Sequence, residues 1–318
     1  MEILILGCGF TGIRVAQRFL SKGAQVTVTT RDPERLANLP ARVITLNELP
    51  GHLRKGMLVL HSIPPEGSSE IPILLRDAPA RVVYLSTTAV YGSAHVVDET
   101  TPVDDHDERA RPRLIDEARI ANGPWSSLIL RPAGIYGPGR GAHESVRRGT
   151  YVAGDNYVSR IHVDDLATQA EAALLSTISG AYPVADEYPA TTREVEEFCS
   201  ALLGIPSNNQ QSQCAVGRTP SSAEDPLVRP GSAEPSPGVC PFQNSTLWPD
   251  CSIGGYGVYP VSAGPQSGVR SAEPSQSSRR APSNRKVDGT AIRRLLGITL
   301  AYPSYRTGIP AALAEQQL

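Results

Sequence analysis

The sequence predicts an α/β protein: a doubly wound parallel sheet followed by a small C-terminal α/β lobe that is interrupted by a disordered insertion. Three observations carry this. An Ile/Leu-rich run at residues 2–6 passes through a glycine-rich turn into residues with helical apolar spacing. Further β-branched and apolar runs alternate with helical stretches as far as about residue 204. Between residues 206 and 284 the chain becomes Ser, Pro, Gly and Gln with no sustained period.

The opening turn is Gly7-Cys8-Gly9-Phe10-Thr11-Gly12, a G-x-G-x-x-G pattern placed after a strand and before a helix. Gly7 permits the tight turn, Gly9 admits a pyrophosphate close to the backbone, and Gly12 lets the helix pack on the sheet. The N–H groups of the first helical turn, at Phe10, Thr11 and Gly12, then face the phosphates with the helix dipole behind them. Ile13, Ala16, Phe19 and Leu20 share the apolar face, and Gly23 is the C′ residue. This is a Rossmann-like nucleotide-binding start.

A β-branched second strand spans residues 25–30 and ends in Thr29-Thr30-Arg31-Asp32. Arg31 with Thr30 suits a ribose 2′-phosphate, so the expected cofactor is NADP. Asp32 argues for NAD, the alternative, but Asp32-Pro33 reads more naturally as the cap of a short helix at 33–36. Residues 42–46 and 57–61 are the third and fourth strands. The fourth ends in His61-Ser62, where Ser62 is placed to meet the cofactor ribose and His61 reads as a strand-end residue satisfied by backbone.

Residues 81–85 form a fifth strand leading into Ser86-Thr87-Thr88-Ala89-Val90-Tyr91-Gly92, then Asp98-Glu99-Thr100-Thr101-Pro102. Leu130-Arg131-Pro132-Ala133-Gly134-Ile135-Tyr136-Gly137-Pro138-Gly139-Arg140 and Arg160-Ile161-His162-Val163-Asp164-Asp165-Leu166-Ala167 follow. These landmarks, in this order behind the glycine turn, resemble the extended short-chain dehydrogenase/reductase superfamily of NAD-dependent epimerase/dehydratases. Residues 291–308 resemble that family's usual ending, a strand and helix completing the substrate lobe. The resemblance implies a Rossmann NAD(P)-binding domain at 1–165, a substrate lobe from 166–205 and 285–318, and the insertion at 206–284.

The family uses a Ser or Thr with a Tyr-x-x-x-Lys pair. The lysine lowers the tyrosine pKa and holds the nicotinamide ribose. Thr87 matches the first. No Tyr-x-x-x-Lys occurs in this chain; on the family's helix Arg113 falls at the lysine, Arg109 at the tyrosine and Glu117 at the trailing acid. Arg113 keeps a positive charge for the ribose, whereas an arginine at 109 cannot donate the proton. The resemblance therefore narrows to atypical members. It implies hydride transfer on a small polar carbonyl or alcohol, with Thr87 and Arg113 at the nicotinamide and no assigned proton donor. The alternative is a catalytically inactive NADP-binding sensor or scaffold. Tyr91 and Tyr136 read as buried aromatics, and Arg160 with Asp164 as either an anion contact or a structural pair.

Composition narrows the remaining classes. The net charge of −2 offers no footprint for nucleic acid. Five cysteines at 8, 199, 214, 240 and 251 have neither disulfide-framework nor zinc spacing, so no metal is expected. No run of 18 apolar residues is present, which predicts a cytoplasmic protein without a membrane partner, and the resemblance implies a small-molecule substrate. The oligomeric state is not encoded in any pattern.

Overall fold

Glu2–Leu6 forms strand β1 in the interior of a seven-stranded parallel sheet. The structure is a computed structural model describing residues 1–65, 70–207 and 284–317, all within one compact unit. Across the sheet the order is β11 (Gly180–Val184), β7 (Ser126–Pro132), β5 (Arg81–Leu85), β4 (Leu58–His61), β1, β2 (Gln25–Thr29) and β3 (Arg42–Ile44). Ile3 pairs with Val26 on one side and Leu58 on the other. The chain runs outward from β1 to β3 and then crosses back to β4, so the order reverses beside β1. Ligands of open α/β sheets bind at the carboxyl end of that switch point.

Both sheet faces are covered, which is why β1 reads as a continuous apolar run rather than an alternating one. Ile3 and Ile5 pack with Val15, Ala16 and Phe19 of helix α1 (Phe10–Ser21) and with Leu166 and Ala170 of α6 (Val163–Leu175). Leu4 and Leu6 face the opposite way, toward Leu49 of α2 (Leu49–His52), Leu74 of α3 (Glu70–Asp77) and Ile120 of α4 (Arg111–Ala121). Phe19 is fully buried, a contribution of roughly 1.5–3 kcal/mol for such a side chain. The buried stripe of α1 is rotated from the expected one: Val15 joins it, while Ile13 and Leu20 lie only partly buried at its margin. Gly12 belongs to this buried side and sits close against the end of β1.

Two further expectations are corrected. The turn after β2 is the 3₁₀ segment Glu34–Leu36, begun at Pro33 without a side-chain cap. Pro33 already holds a helical φ of −64°, so the turn needs no Asp32 carboxylate. The strand expected within residues 291–308 lies earlier: β13 (Lys286–Val287) pairs in parallel with β6 (Val96–Val97). Helices α8 (Thr290–Leu296) and α9 (Tyr305–Glu315) follow it, α8 ending at Gly297 with φ +66°.

The main sheet continues past residue 165, since α6 packs on α1 and β11 pairs with β7 from Gly180 to Val184. Pro183 is tolerated there because β11 is an edge strand. Three short pairs complete the lobe side: β13 with β6, β8 (Gly134–Tyr136) with β10 (Arg160–His162), and β9 (Tyr157–Val158) with β12 (Ala190–Thr191). Helix α5 (Ala142–Arg147) packs beside α7 (Thr192–Leu203). The insertion expected at 206–284 lies outside the described residues except at its two ends. Among the described residues no helix is long and apolar enough to cross a membrane.

Helix α7 is capped at both ends. Thr191 accepts from the Glu194 N–H at 3.1 Å, Glu194 accepts from the Thr191 N–H at 2.8 Å, and Gly204 closes the helix with φ +65°. Thr191→Ala is expected to lower stability by about 1 kcal/mol in a denaturant titration, as loss of a capping box does.

Candidate functional site

The glycine turn sits at the carboxyl end of β1 and is held by both neighbouring strands. Gly7 adopts φ +86°, a region that favours glycine. Its N–H donates to Thr29 Oγ1 at 2.9 Å and the Cys8 N–H to Thr29 O at 2.8 Å, so the end of β2 fixes the turn. From β4 the Ser62 hydroxyl donates to Gly7 O at 2.7 Å. That occupies its hydrogen, so Ser62 can meet a ligand only as an acceptor.

Gly9 and Gly12 differ in what surrounds them. A Cβ on Gly12 would lie 2.7 Å from Gly7 O and 3.2 Å from Ile5 Cγ2, so close helix–strand packing demands glycine there. A Cβ on Gly9 would meet nothing within 4 Å. Protein packing therefore places no demand on Gly9, and its backbone faces open space at the head of α1. The first turn of α1 has no side-chain cap and no acidic residue. The N–H groups of Phe10, Thr11 and Gly12 precede the first i→i−4 bond and suit an anion.

At the end of β2, Thr30 Oγ1 accepts from the Asp32 N–H at 3.1 Å, which turns the chain and leaves Arg31 exposed. A second cation, Arg35, joins this end. Burial pushes the Cys8 thiol up to about 11, and the Arg35 charge acts on it in the opposite direction. No ion pair is recorded for Arg31 or Arg35 among the described residues. Arg35 was legible only as a second arginine one turn beyond Arg31.

Beyond β5, Thr87 stands half-buried at the start of a short 3₁₀ turn, where its Oγ1 accepts from the Ala89 N–H at 3.2 Å and its own hydrogen stays free to donate. Beneath it runs a buried polar chain. Ser86 donates to Glu117, and Arg131 donates to Glu117 from Nη2 at 2.7 Å and Nε at 3.2 Å. Arg131 Nη1 donates to the Tyr91 hydroxyl at 3.2 Å. Burial raises the Tyr91 pKa despite that arginine. Tyr91 is 2% exposed; it anchors the turn.

Arg113 Nη1 donates to the Tyr84 hydroxyl at 2.9 Å, and the Tyr84 pKa is pushed up to about 12 by burial. Arg113 is thereby drawn toward the sheet, with its other guanidinium nitrogens left over. Arg109 does not share a helix with it. Pro112 is the second residue of α4, and the helix begins at Arg111; Arg109 precedes it, exposed, with its N–H on Asp107. The 285 region supplies a residue that sequence reasoning missed. The buried Arg285 guanidinium donates to the carbonyls of Thr88, Gly92 and Ala94, clasping the turn that follows Thr87. Its signal in the sequence was only that ordered pattern resumes there.

The other motifs serve the framework of the fold. His61 Nε2 lies 2.9 Å from Glu70 Oε1 and not on a backbone carbonyl. His162 begins α6, and burial holds its pKa down at about 4. Asp165 accepts from the Ala301 and Tyr302 N–H groups at 2.8 and 2.9 Å, tying the C-terminal segment to α6. Asp164 pairs with Arg14 at 2.6 Å and not with Arg160, whose Nη atoms donate to Val158 O and the Tyr151 hydroxyl.

No protein-family model matches the chain. Protein YeeZ of Escherichia coli K12 is 28% identical over 192 residues, covering 52% of this chain and 70% of YeeZ. A protein provisionally identified as an NAD-dependent epimerase/dehydratase from Methylobacillus flagellatus is similar in structure over 100% of this chain and 99% of its own, with TM-score 0.66 and 22% identity. The human epimerase family protein SDR39U1 (isoform 2), solved with NADPH, covers 65% of this chain and 81% of its own at TM-score 0.53 and 21% identity. The fold is thus that of the NAD-dependent epimerase/dehydratases and atypical short-chain dehydrogenase/reductases.

Proposed function

We propose that the chain is an atypical extended short-chain dehydrogenase/reductase that binds NADP(H) and transfers hydride to or from a small polar carbonyl or alcohol. The observation that carries this is Gly9: a glycine that no protein neighbour requires, at an uncapped, acid-free helix head facing the switch point of the sheet. A dinucleotide's pyrophosphate is the group that would fill that space. Arg31 and Arg35 would hold a 2′-phosphate, Thr30 would shape their turn, and Ser62 would accept from the ribose. The human neighbour of the same fold was solved with NADPH.

The bound cofactor would supply the hydride. This chain's residues bind and orient: the Thr87 hydroxyl donates to the substrate oxygen, and Arg113, anchored on Tyr84, sets a positive potential beside the nicotinamide ribose. Tyr-x-x-x-Lys being absent, no side chain is assigned as proton donor. Residues 1–165 are the cofactor part and 166–205 with 285–318 the substrate part of this same proposal. A second reading, an NADP-binding sensor or scaffold without turnover, is favoured by one observation: Arg109 lies outside the helix that should carry the phenol.

Calorimetry is the first test. NADP⁺ is expected to bind at least tenfold more tightly than NAD⁺, and Arg31→Ala to erase that margin, a charge-assisted phosphate contact being worth about 1.5–3 kcal/mol. Equal affinities in the wild type would overturn the NADP assignment. NADPH oxidation is then followed over a panel of small carbonyl compounds; tight binding with no turnover on any of them selects the sensor reading.

A further inference from the structure

Strand β8 delivers Gly137-Pro138-Gly139-Arg140, a turn closed by the Gly137 N–H on Arg140 O at 2.9 Å and the Arg140 N–H on Gly137 O at 3.0 Å. Gly139 sits at φ +71°. A Cβ on Gly137 would lie 2.6 Å from Val163 Cγ1 and 3.2 Å from Phe10 Cζ, so this turn is seated against α6 and against the first residue of α1.

Phe10 consequently stands between two arginines. The guanidinium carbon of Arg14 lies 5.2 Å from the ring centroid and that of Arg140 5.3 Å. The two cations differ in their partners. Arg14 is paired with Asp164 at 2.6 Å and Glu315 at 3.0 Å. Arg140 is exposed, and no carboxylate pairs with it among the described residues.

An uncompensated guanidinium beside the positive end of α1, where the first turn also lacks an acid, brings like charges together. An anion between them would turn that repulsion into attraction on both sides. The ring of Phe10 already restrains Arg140, so less side-chain freedom would be lost on binding. Arginine's planar fork suits two phosphate oxygens at once.

We propose that Arg140 is a further ligand of the cofactor's pyrophosphate, reaching it from the β8 turn across Phe10. This rests on the NADP(H) reading above. The β8 turn thereby becomes the second wall of a cleft whose first wall is the glycine turn.

The test titrates the full chain and its Arg140→Ala and Arg140→Lys variants with two probes: ADP-ribose, which has the pyrophosphate, and 2′-AMP, which lacks it. Arg140→Ala is expected to weaken ADP-ribose about tenfold and leave 2′-AMP within twofold, with Arg140→Lys between wild type and Ala. Arg31→Ala is the opposite arm, weakening 2′-AMP and sparing ADP-ribose. If Arg140→Ala binds ADP-ribose as the wild type does, or loses both probes equally, the Arg140 proposal is overturned while the cofactor reading stands. If the wild-type chain takes up neither probe, the cofactor reading fails first and this inference with it.

Discussion

Gly9→Val is expected to leave the apo protein folded and to weaken NADP binding at least a hundredfold. Folding has room for the change because the added Cβ would meet no protein atom within 4 Å, and the cost to the fold is confined to the Gly9 backbone, whose φ −91°, ψ −150° lies outside the usual helix and strand regions. Binding does not tolerate it, because the side chain would stand where the pyrophosphate must approach the Phe10 and Thr11 N–H groups. Loss of two charge-assisted bonds of about 1.5 kcal/mol each corresponds to roughly that factor. Circular dichroism melts and calorimetry on one preparation check both halves. Gly12→Ala is the contrast: its Cβ would press within 2.7 Å of Gly7 O, so it is expected to lower the melting temperature as well. If Gly9→Val bound NADP like the wild type, the cleft would lie elsewhere.

The second large effect concerns Asp186, just beyond β11. It is 2% exposed, accepts from the Tyr188 N–H at 3.3 Å through Oδ1, and leaves Oδ2 without a hydrogen-bond partner among the described residues. Burial pushes its pKa up from 3.8 to about 7, against the pull of the Tyr188 N–H, Arg160 and Arg293 and with the push of Asp165. The sign follows. A carboxyl whose folded pKa is raised keeps its proton longer in the native state than in the unfolded chain, so stability is full below pH 4 and declines as pH rises toward 7. The full shift corresponds to at most about 4 kcal/mol. Asp186→Asn keeps the shape and the Oδ1 acceptor without the charge. It is expected to raise stability by up to that amount at pH 8, to give no gain at pH 4, and to flatten the profile between. Urea unfolding across this range decides it; identical pH profiles for the two proteins would remove Asp186 as the cause.

Local patterns in the chain reached the glycine turn and the strand and helix on either side of it because each depends on neighbours a few residues apart. G-x-G-x-x-G specifies its own turn and helix start, and Thr191 with Glu194 closes a capping box within three residues. The helix carrying Arg113 shows the limit. Laying a family pattern on it put Arg109 and Arg113 one turn apart, but Pro112 sets where backbone N–H groups can be dispensed with, and the helix begins after Arg109. The apolar face of α1 is likewise displaced from the periodic one, with Val15 and Gly12 buried and Ile13 and Leu20 at its margin.

What the amino-acid order determined by itself is the glycine turn between a strand and a helix and the doubly wound α/β sheet built around it. These follow from short-range sterics, turn chemistry and the burial of apolar runs. Only the folded chain decided which charges are neutralised. Arg131 meets Glu117 and Arg14 meets Asp164, whereas Arg285 takes three carbonyl oxygens, and among the described residues Arg140 meets no carboxylate over Phe10 and Asp186 is left short of a donor. Those partners come from segments as much as 197 positions apart. No local pattern specifies such a pairing, because it depends on where distant carbonyls and carboxylates come to rest once the core has closed.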